Sequence, residues 1–521
     1  MFGERRKKMD KPPHSSSVGE ELAKVLPQSD KPWWRKAYLL RLNLVLLVPL
    51  FSSATVGYDG HANLEKYFNH PAGGQLGLVN AIFFIGKVVG LPTVSLLSDK
   101  IGRRIPILIG ICLCLVGTVI QTASLDFGML VFSRGLLGCA TAFMSQPSPL
   151  LIAELSFPTH RGKITAMYQT FFYFGAILAA WTGYGTVKLD NDWAWRAACA
   201  IQAFFPFLQL AFWPFLPESP RWLLANGKTE HARAVLVKHH GNGDENSPLV
   251  EFEIKEIQQT IKIEKEIAAT SKWRDLIATP ANRRRVAIAI SLGFFAQWCG
   301  NGVVSYYLAL VLNSIGITNP TDQSLINGLL QMFNFGVSVF LGALMVDRIG
   351  RRVLFLWSAA GMGFSYIAWT ALNGTFLHSH KQAIGIAVVP MIFVYYFHYD
   401  IAFTPLLYSY PTEIFPYHMR SWGLCLTLFS SYLALIFNLF VNPIAMQAIS
   451  WKYYILYCCV NFVIFGVIYF LYPETKAHSL EEIAEVFEGS KGVAQMVLTA
   501  NEGDAKDAEH VETRNLEKSS C

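Results

Sequence analysis

Apolar runs of about 20 residues alternate with short polar connections along most of the chain. A helix of about 20 apolar residues is long enough to cross a hydrocarbon core of roughly 30 Å. The pattern therefore predicts an all-α membrane protein with twelve transmembrane helices. Numbered from the N-terminus, the predicted spans 1 to 12 cover residues 38–58, 76–98, 105–124, 127–150, 164–186, 195–216, 286–313, 323–346, 353–373, 384–409, 421–444 and 451–472.

The polar connections repeat at equivalent points of the two halves. Asp99-Lys-Ile-Gly-Arg-Arg104 follows span 2 and returns as Asp347-Arg-Ile-Gly-Arg-Arg352 after span 8. Pro217-Glu-Ser-Pro closes the first half, and Pro473-Glu-Thr-Lys closes the second. Parallel repeats in a chain of apolar spans are typical of secondary transporters. We expect two pseudo-symmetric bundles of six helices each.

Polar stretches divide the chain into five predicted regions. A helix is predicted within the central stretch, because Ser247 is a good N-cap, Pro248 suits the first helical position, and an apolar stripe follows. Such a helix could lie against both bundles. The regions are a disordered cytoplasmic tail at 1–36, an N-terminal six-helix bundle at 37–216, a cytoplasmic helical linker at 217–285, a C-terminal six-helix bundle at 286–472 and a cytoplasmic tail at 473–521.

Composition and charge agree with a multi-pass membrane protein. Only 15% of the residues are charged and 52% are hydrophobic, whereas soluble proteins carry about a quarter charged residues. The net charge of +6 is explained by cations in the loops of one face, so nucleic-acid binding is not indicated. By the positive-inside rule both termini and the linker are predicted to be cytoplasmic, and the plasma membrane is the expected location. The sequon at Asn373 falls in a predicted outer loop, which supports this orientation.

The sequence predicts neither an enzyme nor a cofactor-binding protein. Eight of the nine cysteines lie in apolar runs, and none has the spacing of metal ligands. No nucleophile–base set or phosphate-binding loop is found. We therefore expect no catalytic residues, no metal and no cofactor.

Taken together, the motifs resemble the sugar porters of the major facilitator superfamily over essentially all twelve spans. The segments 300–307 and 408–420 are most similar to the fungal lactose-permease branch, which includes carriers for lactose, cellobiose and monosaccharides. The resemblance implies transport of a mono- or disaccharide by alternating access. It is carried, in order, by Gly57-Tyr-Asp59, Asp99–Arg104, Arg134-Gly-Leu-Leu-Gly138, Glu154 with Arg161-Gly162, Gln169, Pro217–Trp222, Gln297, Tyr306-Tyr307, Asp347–Arg352, Glu413 with Arg420, and Pro473–Lys476.

A sugar is neutral and rich in hydroxyls, so its site needs amides, hydroxyls and aromatic faces near the bilayer midplane. The resemblance implies that Gln169 in span 5 and Gln297 in span 7 contact the sugar. For each amide, hydrogen bonding between helices is the alternative. Further candidates for sugar contacts are Asn301, Tyr306, Asn334, Tyr408 and Asn438.

Four charged residues fall within the apolar spans: Asp59, Lys87, Arg134 and Asp400. Burying a charge at membrane depth costs free energy, so a charged residue there is by default a candidate functional residue. The resemblance implies that Asp59 is the titrating acid of a proton symporter and that Arg134 is its partner. We predict that all four charges pair around the central cavity, although Lys87 could also be tolerated in a wet crevice. A proton-independent facilitator and a non-transporting sugar receptor remain alternatives.

Charges at the predicted cytoplasmic helix ends form a candidate inner gate. Opposite charges there can pair between helices while a carrier faces outward and separate when it opens inward. The alternative is that they only determine topology. The set comprises Asp99, Arg103, Arg104, Glu154 and Arg161 in the first half, with Asp347, Arg351, Arg352, Glu413 and Arg420 in the second.

The expected partners are a sugar, protons and the lipid bilayer, and the chain is expected to be a monomer.

One departure from the lactose-permease-like pattern bears on activity. Only His61 to Lys66 separate Gly57-Tyr-Asp-Gly60 from Tyr67, so the outer end of span 1 is about two helical turns shorter than in similar carriers. Because span 1 helps to close the outer gate, this shortening puts transport activity in question.

Overall fold

The computed structural model describes residues 25–26, 33–58, 74–159, 161–189, 191–270, 274–342, 349–416, 419–476 and 487. Within these ranges the side chains at 161–163, 166, 169, 263–270, 342, 420 and 421 are not described. The predicted sites Asp59 and Asp347, and the short segment from His61 to Lys66, lie outside the described residues.

Every regular element of the described chain is helical. The predicted apolar runs correspond to helices, several of which are broken within a span. The spans are Ala37–Tyr58 (span 1), Gly74–Ile101 (2), Arg104–Thr122 (3), Phe127–Ser145 with Pro147–Leu155 (4), Arg161–Thr186 (5), Trp193–Ile201 with Phe204–Phe212 (6), Pro280–Trp298 with Asn301–Ser314 (7), Pro320–Val337 with Ser338–Gly342 (8), Arg351–Ser379 (9), Gln382–Ile386 with Val388–Ile414 (10), Arg420–Ile449 (11) and Tyr453–Leu471 (12).

Ten stretches of the described chain are long and apolar enough to cross a membrane. One of them, Trp422–Leu471, contains both span 11 and span 12. Span 5 completes the set of twelve, and its polar residues, such as Thr165, Thr170 and Thr182, make it less apolar than the others. The predicted all-α fold of twelve membrane helices is therefore confirmed.

The packing of the helices repeats between the two halves. In the first half, span 1 packs on span 5, span 3 on span 4, and span 3 on span 6. In the second half, the equivalent pairs are spans 7 and 11, spans 9 and 10, and spans 9 and 12. The two bundles meet where span 2 contacts span 11 and where span 5 contacts span 8, and these two interfaces are also equivalent. The sequence duplication is thus a duplication of structure.

Glycines allow the closest approach of spans 1 and 5. A Cβ atom placed on Gly175 would lie 1.9 Å from the backbone oxygen of Ala54, and one on Gly57 would lie 1.9 Å from that of Phe172. The hydrophobic effect does not drive helices together within a lipid bilayer, so close backbone contact of this kind contributes much of the attraction between them. Any larger residue would push the two helices apart.

The predicted amphipathic helix of the linker forms as Pro248–Thr270. Val250 and Ile254 are buried against Trp222 and Leu236 of the two preceding linker helices, Pro220–Ala225 and Thr229–His239. Leu249 packs into the core of the first bundle. The described contacts place this helix on the first bundle, whereas contact with both bundles was the expectation.

The expectation that Asn373 lies in an outer loop is wrong. Span 9 continues to Ser379, so Asn373 lies within a helix, is fully buried and donates a hydrogen bond of 3.2 Å to Ser314 Oγ. Glycosylation requires an exposed acceptor. The sequon therefore carries no information about orientation in this fold.

Candidate transport site and gates

The two bundles are in contact through the half of the molecule remote from the charged repeats, which we call the cation-poor half. Ala81 of span 2 is buried in one cluster with Leu435 and Leu439 of span 11. Nearby, the rings of Phe84 and Tyr306 meet edge to face with centroids 5.9 Å apart. These contacts close the cation-poor half between the bundles.

Span 5 closes the same half on the other side of the molecule. A Cβ on Gly328 of span 8 would lie 3.4 Å from the indole of Trp181 in span 5, which is ordinary contact distance. The two interfaces therefore seal one end of the space between the bundles.

At the other end, which we call the charged end, the described ion pairs lie within the bundles. The guanidinium of Arg103 is 3.4 Å from Glu154 in the first bundle, and that of Arg351 is 3.1 Å from Glu413 in the second. Asp99 approaches Arg103 at 3.6 Å, but its side chain is 80% exposed. Four of the ten predicted gate charges, Arg103, Glu154, Arg351 and Glu413, pair between helices. Each described pair, however, belongs to one bundle and is formed while the cation-poor half is closed.

A carboxylate caps the start of span 3. Glu218 Oε1 accepts the backbone N–H of Arg103 at 2.9 Å, and its Oε2 accepts that of Arg104 at 3.1 Å. The preceding Gly102 has φ of 97°, a conformation that favours glycine. The Arg104 guanidinium lies 4.0 Å from the Trp213 ring centroid. Helix N-termini favour negative charge, so Glu218 fixes the loop to the end of span 6.

The second half repeats this cap at the start of span 9. Glu474 Oε1 accepts the N–H of Arg351 at 2.8 Å, and Oε2 accepts that of Arg352 at 3.1 Å. Gly350 has φ of 108°, matching its counterpart in the first half. Glu218 and Glu474 were not among the predicted site residues. Their identical position in the closing motifs of the two halves was the signal that could have found them.

Two predicted sugar contacts lie together in the second bundle. The half-buried Gln297 donates from Nε2 to Ser431 Oγ at 3.1 Å, and its backbone oxygen accepts from Asn438 Nδ2 at 2.8 Å. On span 8, Asn334 is buried, and its Oδ1 has no hydrogen-bond partner. A buried amide oxygen without a partner is costly unless a ligand or water supplies one.

Asn301 is engaged by phenols that sequence reasoning missed. Its Oδ1 accepts from Tyr396 at 3.0 Å, and its Nδ2 donates to the hydroxyl of Tyr399 at 3.2 Å. Both tyrosines belong to span 10, where the run from Tyr395 to Tyr399 was the available signal. Tyr306 of span 7 is half-buried at the interface with span 2. The result is a layer of amides and phenols on spans 7, 8, 10 and 11 of the second bundle, with Tyr306 at the interface with the first bundle.

The side chains of three predicted residues are not described, two in the first bundle and one in the second. Gln169 and Arg161 lie in span 5 and Arg420 lies in span 11, but their side chains are outside the described residues. Tyr408 of span 10 is half-buried and lies close to Tyr168 of span 5. This places Tyr408 at the interface between the bundles.

The two intramembrane cations are both buried, with 5% of each residue exposed. Lys87 Nζ lies 5.3 Å from the ring centroid of Tyr432, across the interface between the bundles. Arg134 lies near Tyr307, and its Nε has no hydrogen-bond partner. Among the described residues, neither cation forms an ion pair with Asp400, so the predicted pairing is not observed for Asp400. For Lys87 and Arg134 it stays a prediction, because Asp59 lies outside the described residues.

Asp400 instead connects the two bundles. It is fully buried in the middle of span 10, and its Oδ1 accepts a hydrogen bond of 2.8 Å from the hydroxyl of Tyr173 in span 5. Thr404 donates to the same oxygen at 2.7 Å. The bond between Tyr173 and Asp400 is therefore a polar contact across the bundle interface at mid-membrane depth.

The linker contacts the first bundle beside the gate residue Glu154. The ring of His240 faces two acceptors, Glu253 Oε2 at 2.7 Å from Nδ1 and the backbone oxygen of Leu155 at 3.1 Å from Nε2. For His239, burial above all, together with the neighbouring Lys238 and His240, lowers the pKa from 6.5 to about 4. The linker is thus attached to the end of span 4 through buried titratable groups.

Comparison with known proteins relates most of the chain to transporters. The family model for sugar (and other) transporters matches residues 51–487. The MFS-type transporter oryC of Aspergillus oryzae is 30% identical over 423 residues, covering 80% of this chain and 77% of the relative. A low-affinity glucose transporter of Kluyveromyces lactis is 30% identical over 431 residues, covering 80% of this chain and 74% of the relative.

Solved structures agree on the fold. The inward open conformation of the xylose transporter XylE from E. coli superposes with a TM-score of 0.72 at 22% identity, covering 85% of this chain and 99% of that one. The proton:xylose symporter XylE bound to 6-bromo-6-deoxy-D-glucose gives 0.67 at 24% identity, covering 87% and 99%. With twelve membrane helices in two equivalent bundles and a family match over most of its length, this multi-pass membrane protein belongs to the sugar (and other) transporter family of the major facilitator superfamily.

Proposed function

We propose that this protein carries a sugar across the plasma membrane by alternating access and that protons drive the transport. The observation that carries the proposal is the layer of amides and phenols in the second bundle, beside an interface at which the two bundles are closed against each other through the cation-poor half. An enclosed polar layer at mid-membrane, sealed at one end, is the geometry that a carrier needs.

The chemistry of the layer supports a neutral polyhydroxyl substrate. Gln297, Asn301 and Asn438 offer amide donors and acceptors, and Asn334 offers a buried oxygen without a partner. The rings of Tyr306 and Tyr408 supply apolar faces on which a pyranose can stack. Gln169 of span 5 would complete the site from the first bundle. The similarity to a glucose transporter and to a symporter bound to a halogenated glucose supports a monosaccharide as the first substrate to test.

The gates follow from the rigidity of each bundle. Arg103 with Glu154 and Arg351 with Glu413 hold the charged end of each bundle together. The capping carboxylates Glu218 and Glu474 add to that rigidity. In this proposal each bundle turns as one body, and the charged end, facing the cytoplasm, opens while the cation-poor half is closed. Arg161, Asp347 and Arg420 would pair across the charged end in the opposite state.

Proton coupling rests on the intramembrane charges. A buried guanidinium such as Arg134 requires an anionic partner, and Asp59, the next residue after the described end of span 1, is the acid that the family resemblance assigns to it. Protonation of Asp59 would release Arg134 and allow the bundles to turn. The alternative is a facilitator, in which these charges serve only to hold the helices.

Uptake of radiolabelled glucose, xylose, cellobiose and lactose tests the proposal in a host without sugar carriers. We expect saturable uptake that is higher at pH 5 than at pH 7.5 and is abolished by a protonophore. Asp59→Asn should abolish accumulation but retain exchange of labelled for unlabelled sugar. Uptake indifferent to pH and protonophore would indicate a facilitator. No uptake from protein present at the cell surface would contradict transport and support a receptor.

A further inference from the structure

We propose that Asp400 is a second proton-binding group and that its neutral form closes the cation-poor half of the carrier on the loaded site. This inference rests on the proposed sugar transport and deepens it, because it assigns proton coupling to a residue in the second bundle as well as to Asp59. It starts from the position of the carboxyl group, which is fully buried and makes direct contact with the opposite bundle.

The hydrogen bonds favour a neutral carboxyl in this conformation. Tyr173 and Thr404 both donate to Oδ1, at 2.8 and 2.7 Å, while Oδ2 is buried and accepts no hydrogen bond. An ionised carboxylate would spread its charge over both oxygens and would leave one of them unsolvated. In a neutral acid, Oδ1 is the carbonyl oxygen that accepts both bonds, and Oδ2 carries the proton.

Among the described residues, no positive charge lies where it could stabilise the ionised form of Asp400. No described lysine, arginine or histidine lies within ion-pair distance of Asp400. The titratable groups that surround it are phenols: Tyr173 from span 5, Tyr396 and Tyr399 from span 10 itself, and Tyr306 from span 7 beside them. His398, two positions earlier, lies against Gly361 of span 9. An uncompensated anion at this depth would be expensive.

The step itself is a simple proton exchange. When the bundles separate at the cation-poor half, the bond to Tyr173 breaks and water reaches the carboxyl. A proton from that water forms an O–H bond on Oδ2, and the neutral side chain can then be buried again as the bundles close. On release, the same O–H bond breaks and the proton returns to water. No other reactant is needed.

Three variants separate this role from a structural one. Asp400→Asn keeps the size and an acceptor for Tyr173 but cannot exchange a proton, so the ratio of uptake at pH 5 to uptake at pH 7.5 should fall at least 3-fold, with the remaining pH dependence due to Asp59. Tyr173→Phe keeps the carboxyl and should lower uptake 3- to 10-fold at both pH values while the pH dependence persists. Ser409→Ala is the matched control on span 10, because its hydroxyl bonds only Pro405 of its own helix and its loss should change nothing.

A second measurement does not depend on transport. Hydrogen–deuterium exchange of residues 74–86, corrected for the intrinsic effect of pH, reports closure of span 2 against span 11. We expect this segment of the wild-type protein in detergent to be at least 3-fold more protected at pH 5 than at pH 7.5, and the Asp400→Asn variant to lose most of that difference.

The outcomes of the two measurements are distinct. If Asp400→Asn keeps the wild-type pH dependence of uptake or of exchange, or if the wild type has none, the proposal for Asp400 is wrong while sugar transport can still stand. If the wild type moves no sugar but its pH-dependent protection is lost in Asp400→Asn, the proton site is supported and the proposed transport fails.

Discussion

Glu218 and Glu474 are equivalent residues that make the same contact in the two bundles. Each carboxylate spans the first two N–H groups of a membrane helix that starts after a glycine with positive φ. The two residues close the two halves of the chain, so each ties the last helix of its bundle to the third. The charged repeat and the closing motif therefore have the same structural role in both halves.

Removing one of these caps should weaken its bundle. Glu474→Ala loses two charge-assisted hydrogen bonds at a helix N-terminus, a loss of about 1 to 3 kcal/mol. We expect a lower midpoint in thermal unfolding of the purified protein in detergent. Glu474→Gln keeps one acceptor, so its unfolding midpoint should lie between those of the wild type and Glu474→Ala. Glu230→Ala, on an exposed face of the linker, is the control, and an equal effect there would contradict the capping role.

The contact between spans 1 and 5 predicts intolerance of side chains at Gly175. Because a Cβ there would lie 1.9 Å from the Ala54 backbone oxygen, the helices must move apart in Gly175→Ala. Overpacking of this kind costs about 1 to 3 kcal/mol or more. The yield of monodisperse protein should fall sharply. Gly185→Ala on the same helix, where a Cβ meets no atom within 4 Å, should leave the yield unchanged.

The sugar site predicts a selective loss of affinity at Gln297. Truncation to alanine removes a donor that faces the amide layer, and one hydrogen bond to a neutral ligand is worth about 1 to 1.5 kcal/mol. We expect KM for the transported sugar to rise about 10-fold with little change in maximal rate. Gln323→Ala lies at the cation-poor end of span 8 and should leave KM unchanged. A normal KM in Gln297→Ala would assign this amide to helix packing.

The linker should loosen in acid through His239. The pKa of His239 is lower in the folded state than in the unfolded state. Between pH 6.5 and about 4, the unfolded state therefore binds more protons at this residue than the folded state does. Stability is therefore fully present above pH 6.5 and decreases below it, by at most about 3 kcal/mol. Limited proteolysis of residues 229–262 should accelerate between pH 7 and pH 5. His239→Gln should reduce this acceleration, whereas His231→Gln, which is exposed, should not.

Much of the fold could be predicted because membrane helices depend on local composition. Hydropathy identified all twelve spans, and the repeated signatures identified the two equivalent bundles. The ends were less certain, as Asn373 illustrates, because a helix can continue beyond its apolar run when polar residues find partners such as Ser314. Broken spans such as Pro280–Trp298 with Asn301–Ser314 depend on a positive φ at Gly300, which hydropathy does not detect.

The candidate site was harder to predict because its contacts join distant parts of the chain. Asp400 was recognised as unusual from sequence, but a cation was the expected partner. Its actual partner, Tyr173, is 227 residues away and belongs to the other bundle. Periodicity specifies which face of a helix is polar and does not specify which face of another helix it meets. The phenols of Tyr396 and Tyr399 were missed for the same reason.

Transport by the purified protein tests the central claim most directly. Reconstituted into liposomes with an inward proton gradient, the protein should accumulate labelled sugar above the external concentration, and accumulation should collapse when the gradient is dissipated. Counterflow without a gradient should persist. Folded, reconstituted protein that moves none of glucose, xylose, cellobiose and lactose under either condition would contradict the account of this protein as a sugar carrier.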